Sequence, residues 1–325
     1  MSIRLSRAIA LAVLGLAIAG NAPARSAQPA PQQQVAGVYH QQIGQLHVTA
    51  LFDGTVALGR QALVGGDPAT VTRLLDHRYV PEDAKGLQTA VNAYLVQRGD
   101  HLSLIDTGTA QCFGPGLGQV LANLRAAGHD PAEVDDVLLT HAHPDHMCGL
   151  LDANGTMAFP KATVWLSQAD AAYWLDPASE AGAPEPLRFA FGLARTAVAP
   201  YAAAGKLHRF AAGEALPGGI QAIDSHGHTP GHVSYLLDGG NSQQLLVWGD
   251  IVHFHAVQFA RPDAAYEADS DRSAAITSRR QLMARAADQG WWVAGAHLPF
   301  PGLGHVRRQD QAFAWVPGEF APLRR

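Results

Sequence analysis

Residues 137–146 read Val137-Leu138-Leu139-Thr140-His141-Ala142-His143-Pro144-Asp145-His146, a short apolar run that ends in four ligand-type side chains. A continuous apolar run of this length reads as a buried strand, and Pro144 turns the chain sharply at its tip. Imidazole and carboxylate suit zinc and its neighbours among the divalent ions. A short loop at a strand end holds such groups on a rigid scaffold. His141, His143, Asp145 and His146 are therefore candidate ligands, enough on one loop to face two adjacent ions.

Working outward, ten of the 16 histidines fall in four short stretches, and each stretch offers a further candidate. Gly-His-Thr-Pro-Gly-His supplies His228, Trp-Gly-Asp closes an apolar strand with Asp250, and Gly-Ala-His closes another with His297. His226, His232 and His305 read as supports that orient a neighbour or a loop. The elements between these stretches alternate. Strands are expected at 47–52, 90–97, 102–105, 137–140, 163–166, 220–223, 233–237, 245–248, 291–294 and 312–316. Helices are expected at 68–75, 117–127, 168–175, 187–204 and 273–287. No linker separates the halves, which gives a single α/β domain with two mixed sheets and outer helices over 38–325.

The chain has 325 residues, of which 47% are hydrophobic and 16% charged, so it can bury a large core and is neither disordered nor a coiled coil. Its formal charge is -5 with Lys and Arg scattered singly, which argues against nucleic acid as a partner. Arg4 and Arg7, the apolar stretch 8–19 and Ala22-Pro23-Ala24 read as a signal peptide over 1–24, too short for a membrane anchor. A polar, Pro- and Gln-rich leader follows over 25–37. The expected location is the periplasm or the medium. Cys112 and Cys148 leave two readings open, a disulfide in that oxidising compartment or two buried small hydrophobes.

The pattern H-x-H-x-D-H at 141–146, G-H-T at 227–229, a strand-end Asp250 and a strand-end His297 resemble the metallo-β-lactamase superfamily, with Asp106-Thr107-Gly108 similar to its first motif. The resemblance implies an αβ/βα sandwich with a binuclear site at the sheet edge. His141, His143 and His228 would hold one metal, Asp145, His146 and His297 the other, and Asp250 would bridge them. Two metals so placed share a hydroxide, acidify it and polarise the bond it attacks. Asp145 and Asp250 would steer that hydroxide.

Longer stretches are similar to the methyl parathion hydrolase-like group: Asn92 to Val96, Phe113 to Gly118, Ser225 to His232, Ala256 to Phe259, Asp269 to Asp271 and Ala296 to His305. That likeness implies a secreted, dimeric zinc hydrolase with an aromatic-lined pocket. Phe113, Trp174 and Phe191 match its wall positions, although core packing is the commoner fate of an aromatic on an amphipathic helix. His253 stands three residues beyond Asp250, where related lactonases carry a tyrosine, and is read either as a pocket donor or as packing beneath the site. The expected substrate is a small neutral lactone or aryl ester. A phosphotriester is the runner-up, since ligand set and spacing do not separate the two. β-Lactamase activity is disfavoured by the carboxylate at Asp250, and a mononuclear-iron oxidoreductase or a non-catalytic metal binder remain the readings from other classes.

Overall fold

A computed structural model describes residues 34–323; the 1–24 signal peptide and most of the 25–37 leader lie outside the described residues. Ala36–Arg325 forms one compact unit. The first half of the chain runs β1 (Val38–Ile43), β2 (Leu46–Leu58), β3 (Leu63–Val64), α1 (Pro68–His77), β4 (Glu82–Asp83), β5 (Gly86–Arg98), β6 (His101–Ile105), α2 (Val120–Ala126), β7 (Asp136–Leu138) and α3 (Pro144–Met147). It continues through β8 (Thr163–Ser167), α4 (Gln168–Trp174), α5 (Pro177–Gly182), α6 (Arg188–Ala203) and β9 (Leu207–Phe210). The second half adds β10 (Gln221–Asp224), β11 (Val233–Gly240), β12 (Gln243–Val247), α7 (His255–Gln258), β13 (Ala265–Tyr266), α8 (Arg272–Gln289), β14 (Trp292–Ala294), β15 (Leu303–Gln309) and β16 (Ala312–Pro317). No helix among the described residues is long and apolar enough to cross a membrane.

The strands make two large sheets, as expected. One has the order β1-β2-β5-β6-β7-β8-β9 with β4 added to β5, and the other the order β10-β11-β12-β14-β15-β16; a small pair joins β13 to β3. Alternation of side chains along each strand explains the layers. In β5, Tyr94 and Val96 join Tyr235, Val247 and Ala294 of the other sheet in the core between the sheets. Ala93 and Leu95 point the other way and pack with Leu124 of α2 and Phe191, Val198 and Tyr201 of α6. On the far side, Leu246 and Val293 meet Leu282, Met283 and Ala286 of α8. The result is helix, sheet, sheet, helix, the αβ/βα sandwich.

Both sheets point their chemistry the same way. β6, β7, β8 and β9 run parallel, and so do β12 and β14. Residues 139–146 follow β7, Asp250 follows β12 and His297 follows β14, so all of them emerge where parallel strands end.

Several elements differ from expectation for local reasons. The helix placed at 117–127 begins only at Val120, because Gly118 has φ +79° and the Gly118 and Val120 N–H groups donate to Asp53. Asp53 itself sits at a β-bulge in β2, where the register against β5 shifts between Phe52 and Gly54. The bulge turns Asp53 inward, where it also accepts from Thr109 N and Oγ1. β1, β9 and β15 form where no strand was expected. Cys112 and Cys148 are joined as a disulfide with Cα atoms 6.3 Å apart, which decides between the two readings left open above.

Candidate metal centre

The structure brings all seven expected ligands together. His141, His143, His228 and Asp250 form one cluster and Asp145, His146, Asp250 and His297 a second, each with its donor atoms within 4.8 Å of one another. Asp250 belongs to both. Its Oδ2 lies 3.2 Å from His228 Nε2, 3.2 Å from His297 Nε2 and 3.6 Å from His141 Nε2, while Oδ1 lies 3.1 Å from His146 Nε2. Asp145 Oδ2 stands 3.5 Å from both His146 Nε2 and His297 Nε2.

Three of the rings are aimed by their other nitrogen. His146 Nδ1 donates to Asp106 Oδ2 at 2.9 Å, His228 Nδ1 to Asp269 Oδ1 at 2.9 Å and His297 Nδ1 to the Ala90 carbonyl at 2.8 Å. Such bonds fix the ring's orientation and aim its other nitrogen inward, where it would serve as a lone-pair donor once an ion displaces its proton. Asp106 also accepts from Thr140 N and Oγ1, so it ties the start of the motif loop to His146. Asp170 accepts from Ala142 N at 2.7 Å and Gly231 N at 2.8 Å, clamping the 141–146 loop to the 227–232 loop. Asp250 is set in place by its own N–H, which donates to His232 Nε2 at 3.0 Å. Gly249 precedes it with φ +57°, and a Cβ there would stand 2.6 Å from His232 Nε2.

The electrostatics follow from burial and crowding. Burial and neighbouring His146 push His141 down, and burial and His228 push His143 down, so both favour the neutral, ligating form. Burial opposes a charge on His228 as well, but Asp250 and Asp269 outweigh it and raise that ring to about 9. Asp250 is buried at a cost to its charge, yet the surrounding His146, His297, His253 and His141 hold it well below the usual carboxylate range.

The donor set fits a pair of divalent cations. His141 Nε2, His146 Nε2 and Asp250 Oδ1 are buried and, among the described residues, make no well-directed hydrogen bond, although the last two lie 3.1 Å apart. Buried polar atoms left unpaired are costly, and cations between them would satisfy all three.

A cavity of about 210 Å³ opens over the clusters, lined at its base by His143, Asp145, His228, Asp250, His253 and His297. Its walls include Val56, Leu58, Phe113, Phe189 and Tyr266, and among the described residues no Lys or Arg lines it. Phe113 is thus placed where the resemblance implied. Trp174 and Phe191 are not: they are 1% and 0% exposed and belong to the core under α4 and α6. Trp174 packs edge-on against His143 at 4.8 Å and against Phe191 at 4.5 Å, so the two rings support a ligand from behind. His253 does face the cavity, and its Nε2 lies 2.9 Å from Asp250 Oδ2. His226 pairs with Asp224 at the surface and His305 donates to the Trp291 carbonyl, both away from the clusters.

Sequence reasoning did not assign Asp269, Asp53, Asp170, Phe189 or Tyr266. Tyr266 stacks on His253 at 4.4 Å and its N–H donates to Asp269 Oδ2 at 2.8 Å.

Residues 86–288 match the metallo-beta-lactamase superfamily. The chain is 30% identical over 202 residues to the uncharacterized protein YobT of Bacillus subtilis (strain 168), a match that covers 60% of this chain and 79% of that protein. It is similar to the solved structure of AbOPH, a hydrolase in the beta lactamase superfamily, with a TM-score of 0.85 and 40% identity over 89% of this chain and 100% of that one. It is also similar to AidC, described as a dizinc quorum-quenching lactonase, with a TM-score of 0.79 and 26% identity over 88% of this chain and 99% of that one. The matched residues span more than half of the chain and carry the strand ends and loops that bear His141, His143, His146, His228 and Asp250, and the chain belongs to the metallo-β-lactamase superfamily.

Proposed function

We propose that the chain is a secreted hydrolase that cleaves neutral lactones or aryl esters with two divalent metal ions, zinc by preference. The observation that carries this reading is the pair of His/Asp clusters sharing Asp250 at the base of a cavity walled by Val56, Leu58, Phe113 and Phe189 and free of Lys and Arg. An anionic substrate would want a guanidinium clamp, whereas an acyl or aryl group is bound by burial against apolar walls. The similarity to AidC supports a lactone. The disulfide between Cys112 and Cys148 supports an oxidising compartment.

His141, His143, His228 and Asp250 would hold one ion, and Asp145, His146, His297 and Asp250 the other. When bound, the ions supply Lewis acidity and water acidified towards neutrality. The chain does the rest. Phe113 and Phe189 seat the apolar part of the substrate and exclude water from it. His253 Nε2 donates to Asp250 Oδ2 and so keeps that carboxylate turned towards both clusters. Asp145 is held ionised, because His146 and His297 overcome the penalty of its burial, so its Oδ2 stands at the base of the cavity as a charged donor for the second ion.

The test is to purify the mature protein, count its metals by mass spectrometry and compare dihydrocoumarin, an acyl-homoserine lactone, nitrophenyl esters and methyl paraoxon. Two ions per chain, with kcat/KM for a lactone or ester at least tenfold above that for methyl paraoxon, is the expected result. The reverse ranking would make it a phosphotriesterase. One iron and no hydrolysis would refute both readings.

A further inference from the structure

A second cavity, of about 320 Å³, lies beside the first and shares only His297 with it. Its chemistry is different. Where the first has neither Lys nor Arg, the second is lined by Arg78, His255, Gln88 and Thr55 and walled by Phe52, Tyr79 and Phe300. Among the described residues no carboxylate lines it. Among the described residues the Arg78 guanidinium makes no ion pair and no side-chain hydrogen bond. Glu82, which borders the adjoining cleft, is already paired with Arg60. In a chain of formal charge -5, an uncompensated cation at an aromatic-walled cavity is an attractor for anions. Burial and the Arg78 charge push His255 down to about 4, so it stands there neutral, with one N–H to donate.

The backbone that presents these groups is strained. α1 ends with Arg78 as its cap and Tyr79 next, and Val80 N–H reaches back to the Leu75 carbonyl in the helix-ending turn that glycine usually closes. Tyr79 takes the left-handed φ of 50° itself, although its side chain is 89% exposed and gains no burial in return. Such outliers persist where they hold a group in position for a ligand. The Phe52 and Phe300 rings, 5.4 Å apart and tilted by 58°, form the opposite wall.

We infer that this cavity is a binding site for a small carboxylate that carries a flat apolar group, its anion on Arg78 and His255 and its apolar part between Phe52, Tyr79 and Phe300. The inference does not depend on the proposed hydrolysis. If that proposal holds, the ring-opened acid of an aryl lactone has this chemistry, and so do unrelated aromatic acids.

The probe is 4-bromobenzoate. Crystals of the full metal-loaded chain soaked with it should show anomalous bromine density between Phe52 and Phe300. Calorimetric titration of the same protein should show saturable binding, weakened at least tenfold by Arg78→Gln and several-fold by His255→Gln, with 4-bromobenzamide not binding. Arg78 is exposed, so Arg78→Gln keeps the fold, and circular dichroism checks this. Bromine at the His/Asp clusters alone, or equal affinity in Arg78→Gln, overturns the inference. Displacement of the probe by 3-(2-hydroxyphenyl)propionate, the acid from dihydrocoumarin, assigns the site to product. A bound probe that this acid does not displace keeps the site and assigns it to an external acid.

Discussion

Replacing Asp269 by Asn tests whether the ligands are held from behind as the geometry implies. Asp269 accepts two buried N–H groups, His228 Nδ1 at 2.9 Å on Oδ1 and Tyr266 N at 2.8 Å on Oδ2. An amide offers one acceptor oxygen, so either His228 or Tyr266 would face an NH2 group instead. The bond that suffers is charge-assisted and buried, which puts its loss at roughly 1.5–3 kcal/mol. Changing the partner of a metal-bound imidazole costs about 10–100-fold in affinity, or about 1.4–2.8 kcal/mol, so two independent scales agree. Competition against a chromophoric chelator at neutral pH should therefore show one ion bound 10–100-fold more weakly and the other within about threefold of wild type. The spared ion is the one beside His146 and His297, whose partners Asp106 and Ala90 are untouched. Asp106→Asn should reverse the pattern. Unchanged affinity at both sites, or equal losses at both, would refute the reasoning.

The metal-free protein holds a proton on His228 up to about pH 9, so uptake of an ion must displace it. A raised pKa competes most at low pH; affinity should climb with pH and level off near 9, and calorimetry in buffers of different ionisation heat should detect the released proton. Trp174→Ala should cost about 3–5 kcal/mol in denaturant unfolding, as for other buried aromatics. Phe113→Ala should leave stability within about 0.5 kcal/mol, as for most surface sites, while raising KM several-fold for aryl esters. Gly249→Ala should abolish hydrolysis, because a Cβ 2.6 Å from His232 Nε2 and 2.8 Å from Thr140 Cβ displaces Asp250; a normal rate would show that the strand end tolerates the shift.

What was legible in the sequence depended on locality. His141, His143, Asp145 and His146 sit on consecutive loop positions, and their chemistry is visible without knowing what lies opposite. Asp250 and His297 were readable because each closes an apolar run. Asp269 was not: it stands 41 residues from His228, beyond the two-residue strand β13, which carries no periodicity. Asp53 was hidden because a bulge inverts its side, so alternation along β2 misreports where it points. Trp174 shows the converse failure. The resemblance placed it at the pocket wall, whereas its place on an amphipathic helix favoured core packing, and it lies in the core behind His143. β15 escaped because it holds only two apolar side chains, Leu303 and Val306, and ends in the exposed Arg307, Arg308 and Gln309.

The ligands and the cavity walls come from different parts of the chain. Candidate ligands sit at strand ends and in loops fastened by buried carboxylates, whereas Val56 and Leu58 come from β2, Leu187 and Phe189 from the start of α6, and Ala268 from the turn after β13. Mutations at these wall positions therefore miss the anchoring carboxylates; Tyr266 is the exception, since its N–H donates to Asp269. The fold thus separates the groups that would hold the ions from the surface that would meet a substrate, so a wall side chain can change size or shape without moving a ligand.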